Sequence, residues 1–223
     1  VLFRSRGGLR TGAAVTVAPG KEWLVGREVP RTDPCLRTGA QFIESLKDGR
    51  HVVLGGRDVP DVTAEPVLRR GIDTLAGIFD AQFDPATREA LTSTEPKSGR
   101  RIATGWLVPR SKADLERHLA TIKATTLHTF GVFGRPPDYG PVKAIGFLAF
   151  IHLVKGQEPE ALEKIERFVT MGQTHNLVSA DIIIDVQTSR KLPMPEQQGR
   201  LRVIEERKDG VIVSGVKAGN SVM

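Results

Sequence analysis

The segment Gly131 to Tyr139, GVFGRPPDY, holds the residues of this chain best placed to do chemistry together. Arg135 is followed by the rigid Pro136-Pro137 step, and Tyr139, the only tyrosine in the chain, stands four residues beyond it. A guanidinium with a fixed approach and a phenol, set around a kink, can converge on one small anion or a phenolate. The same pair also fits a structural arrangement, an arginine balancing a helix C-terminus and a tyrosine capping the core, and spacing alone leaves both open. Elsewhere the residue pattern is poor in catalytic geometry. His118 and His128 lie ten apart, on different helix faces rather than in the i, i+4 pairing of a zinc site, and both are expected to be solvated. Glu205 and Glu206 are adjacent in a strand-like run and point to opposite faces. No Walker A loop, G-x-G-x-x-G, G-x-S-x-G or H-E-x-x-H pattern occurs, and no metal site is expected.

The elements that must position Arg135 and Tyr139 follow from apolar periodicity. A helix is expected from Thr38, a good N-cap, with Phe42, Ile43 and Leu46 on one face and Gly49 as its stop. His51 to Leu54 and Arg57 to Val59 flank Gly55-Gly56 and read as a hairpin. Val67, Ile72, Leu75, Ile78 and Phe79 continue as a long helix up to Asp84-Pro85. Thr92 to Gly99 is rich in Ser, Thr, Pro, Lys and Gly and reads as an exposed loop, followed by a short extended piece to Pro109. Ser111 and Asp114 form a Ser-x-x-Asp start signal for a helix of about 22 residues, with Leu115, Leu119, Ile122, Phe130 and Phe133 as its apolar stripe. Gly134 and Pro136-Pro137 end it, and two further helices are expected over 139–154 and 159–172. From Leu201 the period changes from helical to alternating, predicting antiparallel strands at 201–205 and 210–216 around Lys208-Asp209-Gly210.

The net charge of +6 and the pI near 9.7 raise the question of nucleic acid, but residues 1–37 alone carry +4, leaving +2 for the rest. That remainder has no basic stripe interleaved with aromatics, so nucleic-acid binding is not expected. The longest apolar stretch, Ala144 to Val154, is about half of the roughly 20 residues a membrane helix needs. The single Cys35 excludes an intrachain disulfide and a multi-cysteine zinc site, which makes a reducing, cytoplasmic location the default. Residues 1–30 begin without Met and lack apolar periodicity, and are read as a doubtful or disordered leader. Residues 31–180 then form a helical domain, and 181–223 a linker and the start of a β domain.

Several segments, in order and spacing, make the chain resemble the 4-hydroxyphenylacetate 3-monooxygenase oxygenase-component family: RTGAQFIESLKDGR (37–50), GWLVPRSKADLERH (105–118), GRPPDY (134–139), DVQTSRK (185–191) and VIEERKDGVIVSGVKAGNS (203–221). The resemblance spans Arg37 to Val222 and matches the N-terminal part of such a protein. It implies the mainly α N-terminal domain of an acyl-CoA-dehydrogenase-like fold, a small β-hairpin near the N-terminus and the first antiparallel strands of a truncated central β domain. It also implies reduced FAD supplied by a separate flavin reductase, O2 as co-substrate, hydroxylation of a phenol ortho to its hydroxyl, and a homotetramer at full length. By itself the chain is expected to be inactive.

Residue by residue, Arg135 and Tyr139 match the pair that hydrogen-bonds the substrate hydroxyl, where a guanidinium favours the phenolate. Gln187, Thr188, Ser189 and Arg190 match the flavin-contacting stretch, and Ser221 stands where the family has a flavin-contacting threonine. Ungapped alignment puts Asp181 at the family's third substrate contact, usually a histidine; an ionised aspartate cannot donate and repels a phenolate. Asp185-Val186 replaces the usual Asn-Pro. Two alternatives stand beside this reading. One is 4-hydroxybutyryl-CoA dehydratase, which has the same fold but holds an iron-sulfur cluster, whereas His118 to Tyr139 contains no cysteine. The other is an inactive truncated product or interaction module with open strand edges.

Overall fold

Thr38 starts the first helix through a reciprocal cap: its hydroxyl accepts from the Gln41 N–H at 3.2 Å while the Gln41 amide oxygen accepts from the Thr38 N–H at 2.8 Å. The computed structural model describes residues 33–131, 139–151, 159–179, 184–186, 189, 191–193, 196–197, 199–208 and 210–217. The capped helix α1 (Gly39–Ser45) is followed by strands β1 (Val52–Leu54) and β2 (Arg57–Val59), paired antiparallel. Gly55 and Gly56 turn between them with φ of 58° and 82°, as the hairpin reading requires. Helix α2 (Pro66–Ala81) opens on proline, which suits a first helical turn because its missing N–H has no partner to lose. Phe79 of α2 stacks on Phe42 of α1 with centroids 4.7 Å apart, the centre of one apolar cluster.

The exposed loop expected at 92–99 is in part a strand. After the short helix α3 (Arg88–Leu91), strand β3 (Thr92–Thr94) pairs antiparallel with β4 (Arg101–Ala103), and Thr92 and Ser93 are buried. Composition misled here because the hydroxyls of these residues are satisfied internally: Thr92 accepts from Arg101 Nε at 2.7 Å, and Ser93 and Thr104 share a 2.9 Å bond. Thr94 and residues 96–100 are exposed in the way the composition suggests. A 3₁₀ turn, Thr104–Trp106, then carries Trp106 into a second cluster with Cys35, Leu36, Ile102, Ala144 and Val169.

Helix α4 (Lys112–His128) has 17 residues rather than about 22. Phe130 and Gly131 take left-handed φ of 53° and 76°, and the Gly131 N–H closes the last turn onto the Thr126 carbonyl at 2.8 Å. Its expected apolar stripe does not face the core of the described residues. Leu115, Leu119, Ile122 and Phe130 are exposed, Phe130 at 95%, while Thr121 and Thr125 are buried. Threonine can occupy that inner face because each hydroxyl finds a carbonyl: Thr121 donates to Ala90 of α3 at 2.5 Å, and Thr125 and Thr129 bond back to Thr121 at 2.9 Å and Thr125 at 3.0 Å. Helices α5 (Tyr139–Ile151) and α6 (Pro159–His175) pack against each other and carry Ala144, Ile145, Leu148 and Val169 inward.

Strands β5 (Arg202–Arg207) and β6 (Gly210–Ser214) form the expected hairpin, with a register shift between Val203 and Glu205. Every residue of β5 is exposed. His118, expected to be solvated, is half-buried with its Nε2 2.9 Å from the Leu107 carbonyl oxygen, whereas His128 is exposed. The leader expected over residues 1–30 lies outside the described residues, as do Phe133, Gly134 and Pro136-Pro137.

Candidate functional site

Tyr139 is the first residue of α5, so the turn that ends α4 and the segment holding Arg135 lead directly into that helix. The Ser111 hydroxyl fixes where α4 begins by accepting from the Asp114 N–H at 3.2 Å, and Asp114 answers by accepting from the Arg110 N–H and the Ser111 hydroxyl, both at 2.9 Å. The chain thus leaves α4 at Gly131 and re-enters helix at Tyr139. One contact locates that re-entry: a Cβ on Gly140 would sit 2.2 Å from Ser179 Cβ, so only glycine lets the head of α5 lie this close to the chain leaving α6. Ser179 is two residues before Asp181. The backbones at Gly140, next to Tyr139, and at Ser179 therefore approach each other here, whereas Arg135 and Asp181 lie outside the described residues.

The exit of α6 is held by groups with no motif to announce them. Asn176 takes a left-handed φ of 48°, donates through Nδ2 to Gln82 Oε1 at 2.7 Å, and offers its carbonyl to Arg37 Nη2 at 2.8 Å. The Arg37 guanidinium lies 4.9 Å from the Phe79 ring centroid, so its charge is delivered to an aromatic face inside the fold. Trp106 Nε1 donates to the Leu177 carbonyl at 2.9 Å, and Gln173 Nε2 donates to the Trp106 carbonyl at the same distance. These contacts thereby fix Asn176 and Leu177, where the chain leaves α6. Sequence reading missed Arg37, Gln82, Trp106 and Asn176. The one available signal was Asn176 itself, a residue tolerant of left-handed backbone standing just after a helix.

Behind Pro141 and Trp106 is a cavity of about 50 Å³ lined also by Gln82, Thr125 and Asn176. Such a volume holds a water or two but not an aromatic ring, for which about 150 Å³ is the relevant scale. A wider groove of about 570 Å³ runs between the Glu95–Arg100 turn and the α5–α6 pair.

Of the residues expected to meet flavin, Ser189 is described and is exposed; its carbonyl accepts from the Leu192 N–H at 3.3 Å and its hydroxyl has no partner among the described residues. Gln187, Thr188, Arg190 and Ser221 lie outside the described residues. Amide, hydroxyl and guanidinium donors of this kind suit the carbonyls, ring nitrogens and phosphates of a flavin nucleotide, so the donor set fits the group. Just ahead of this stretch Asp185 forms ion pairs with two cations, Lys217 Nζ at 2.6 Å and Arg200 Nη2. The Lys217 ammonium first, and then the Arg200 guanidinium, hold its carboxyl below the usual carboxylate range.

A family model described as 4-hydroxyphenylacetate 3-hydroxylase N terminal matches residues 38–223. The 4-hydroxyphenylacetate 3-monooxygenase oxygenase component of Thermus thermophilus is 29% identical over 185 residues, covering 81% of this chain and 37% of that protein. A crystal structure of the oxygenase component of 4-hydroxyphenylacetate 3-monooxygenase, complexed with FAD and 4-hydroxyphenylacetate, superposes with a TM-score of 0.72 at 29% identity, covering 81% of this chain and 38% of that one. A 4-hydroxybutyryl-CoA dehydratase from N. maritimus superposes with a TM-score of 0.71 at 22% identity over 83% of this chain and 37% of the dehydratase, a likeness of fold alone. The chain thus spans about 37% of the length of the curated relatives it matches.

Proposed function

The chain belongs to the 4-hydroxyphenylacetate 3-hydroxylase family, with an acyl-CoA-dehydrogenase-like fold, and from that premise we propose that it provides the helical wall of a reduced-FAD-dependent monooxygenase acting on a 4-hydroxyphenyl substrate. The observation that carries this reading is the family match, which runs unbroken from Thr38 to Met223. The close contact of Gly140 with Ser179 supports it, since it brings the head of α5, which begins at Tyr139, against the chain leaving α6. When bound, reduced flavin would supply the two electrons that activate O2, one atom of which would go to the ring and the other to water; a separate reductase would supply the reduced flavin.

The protein's own part is to bind, orient and keep water out. Arg135 donates to the phenol oxygen from its planar fork and favours the phenolate, the electron-rich form in which the ring carbon ortho to the oxygen attacks an electrophilic oxygen. Tyr139 donates a second hydrogen bond to the same oxygen. Gln187, Thr188, Ser189, Arg190 and Ser221 hold the flavin, the exposed Ser189 hydroxyl, without a partner among the described residues, being one such donor. Asp181 is an acceptor where a donor would serve a phenolate better, so either the substrate differs, its protonation differs, or the alignment slips locally at this position. The dehydratase reading has less support: its likeness is one of fold, and the single cysteine, Cys35, is 1% exposed within an apolar cluster.

The test supplies a flavin reductase, NADH and oxygen-18 gas to the native-length protein with 4-hydroxyphenyl substrates. One labelled oxygen ortho to the hydroxyl, above the reductase-alone control, is the expected product. Turnover of the same substrates with no label in the product would refute oxygenation.

A further inference from the structure

At the base of the β5–β6 hairpin three chain segments meet around a single carboxylate. Asp185 pairs with Lys217 both as an antiparallel bridge of the backbone and through the 2.6 Å contact of Oδ1 with Nζ. Its Oδ2 accepts from Arg200 Nη2, whose Nη1 donates to Gln197 Oε1 at 2.8 Å. Arg200 in turn bridges Val216, and the Val216 N–H donates to the Gly199 carbonyl at 2.8 Å. The crossing is tight: Gly215 has φ 131°, and a Cβ there would stand 2.2 Å from the Arg200 carbonyl oxygen. Asp185, Arg200 and Lys217 side chains are only about a quarter exposed, so these pairs are less screened than ordinary surface pairs.

We infer that Asp185 is a positioning residue for the cofactor, its carboxylate tying the segment that carries Gln187–Arg190 to the segment that leads to Ser221. The inference rests on the reading that those five residues meet the flavin. Gln187 follows Asp185 by two residues and Ser221 follows Lys217 by four, so an extended chain places them within roughly 7 Å and 14 Å of their anchors. The Asp185–Arg200 pair closes a loop with a sequence separation of 15 residues, which contains Gln187 to Arg190. Closing it restricts where those donors can be when the flavin arrives, so less order has to be imposed on binding.

Two readouts test the inference, one of them independent of flavin. In the chain as it stands, Asp185→Asn should speed tryptic cleavage after Arg190 and Lys191 and hydrogen exchange at the Val216 amide about tenfold, with amides of α2 and α6 unchanged. In the native-length protein, Asp185→Asn should raise the Kd for FAD about tenfold, whereas Asp185→Glu, which retains the charge, should stay within about threefold of the parent. Arg190→Met serves as the control for the underlying reading. If Arg190→Met leaves FAD affinity unchanged, the flavin assignment of that stretch fails and the inference falls with it. If Arg190→Met weakens FAD while Asp185→Asn leaves either the cleavage rate or the affinity at the parent value, the flavin assignment stands and the positioning role of Asp185 is overturned.

Discussion

Arg135 is the residue whose replacement should matter most in the native-length enzyme. Arg135→Lys keeps charge but loses the planar fork, and Arg135→Met loses both, so the second should cost about 2 to 4 kcal/mol, or roughly 30- to 1000-fold in hydroxylation rate. Tyr139→Phe removes one neutral hydrogen bond and should cost about tenfold. Steady-state product formation checks both, and an Arg135→Met enzyme within about twofold of the parent, with FAD binding intact, would make the pair structural. Asp181→His should improve turnover of simple 4-hydroxyphenyl substrates if Asp181 truly meets the phenol oxygen. Asp185 has a pH signature of its own. Its folded pKa is depressed by Lys217 and then Arg200, so its contribution is present above the unfolded value of about 3.9 and is lost as pH falls through the folded value. Exchange at the Val216 amide should therefore be unaffected by this group between pH 7 and 5 and rise only below about pH 4.

Two substitutions at the level of elements separate what packs from what merely repeats at helical spacing. Trp106→Phe should destabilise the helical part by about 2 kcal/mol, lowering Tm by about 4 to 8 °C, because it empties part of the central cluster and leaves the Leu177 carbonyl without its indole donor. Leu119→Gln should change stability by no more than about 0.5 kcal/mol, since Leu119 is 65% exposed even though it lies on the stripe that periodicity marks as the inner face of α4. Thermal melts of the two variants check both expectations. A Leu119→Gln variant as damaged as Trp106→Phe would mean that the exposed stripe is covered in solution.

For the molecule as a whole, the stripe of α4 and the Phe147 and Phe150 side chains of α5, both 57% exposed, leave apolar surface of a kind that chains in water rarely leave uncovered. The 223-residue chain matches about 37% of its relatives' length, and a water-excluding site needs walls on every side. The expected result is no phenol hydroxylation by this chain above the reductase-alone control, and measurable hydroxylation would show that the helical wall and the hairpin suffice. Removing residues 1–30 should leave the melting temperature unchanged, because that stretch has no apolar periodicity to bury; a clear drop would place it within the fold.

Local signals in the sequence determined the helix starts at Thr38 and Ser111, the Gly55-Gly56 hairpin and the change to strand periodicity near Leu201, because caps, turns and alternation are decided by residues within a few positions of one another. The order of the family's segments is likewise a property of the chain. What tertiary structure decided is of another kind. Thr92 and Ser93 are buried because partners in β4 and at Thr104 satisfy their hydroxyls, and α4 turns Thr121 and Thr125 inward because Thr121 donates to the Ala90 carbonyl of α3 and Thr125 to the Thr121 carbonyl. The closeness of Gly140 to Ser179 and the ion pairs of Asp185 with Arg200 and Lys217 join residues from 15 to 39 positions apart. Contacts of that range depend on how whole elements are placed, and no local pattern of residue types encodes them.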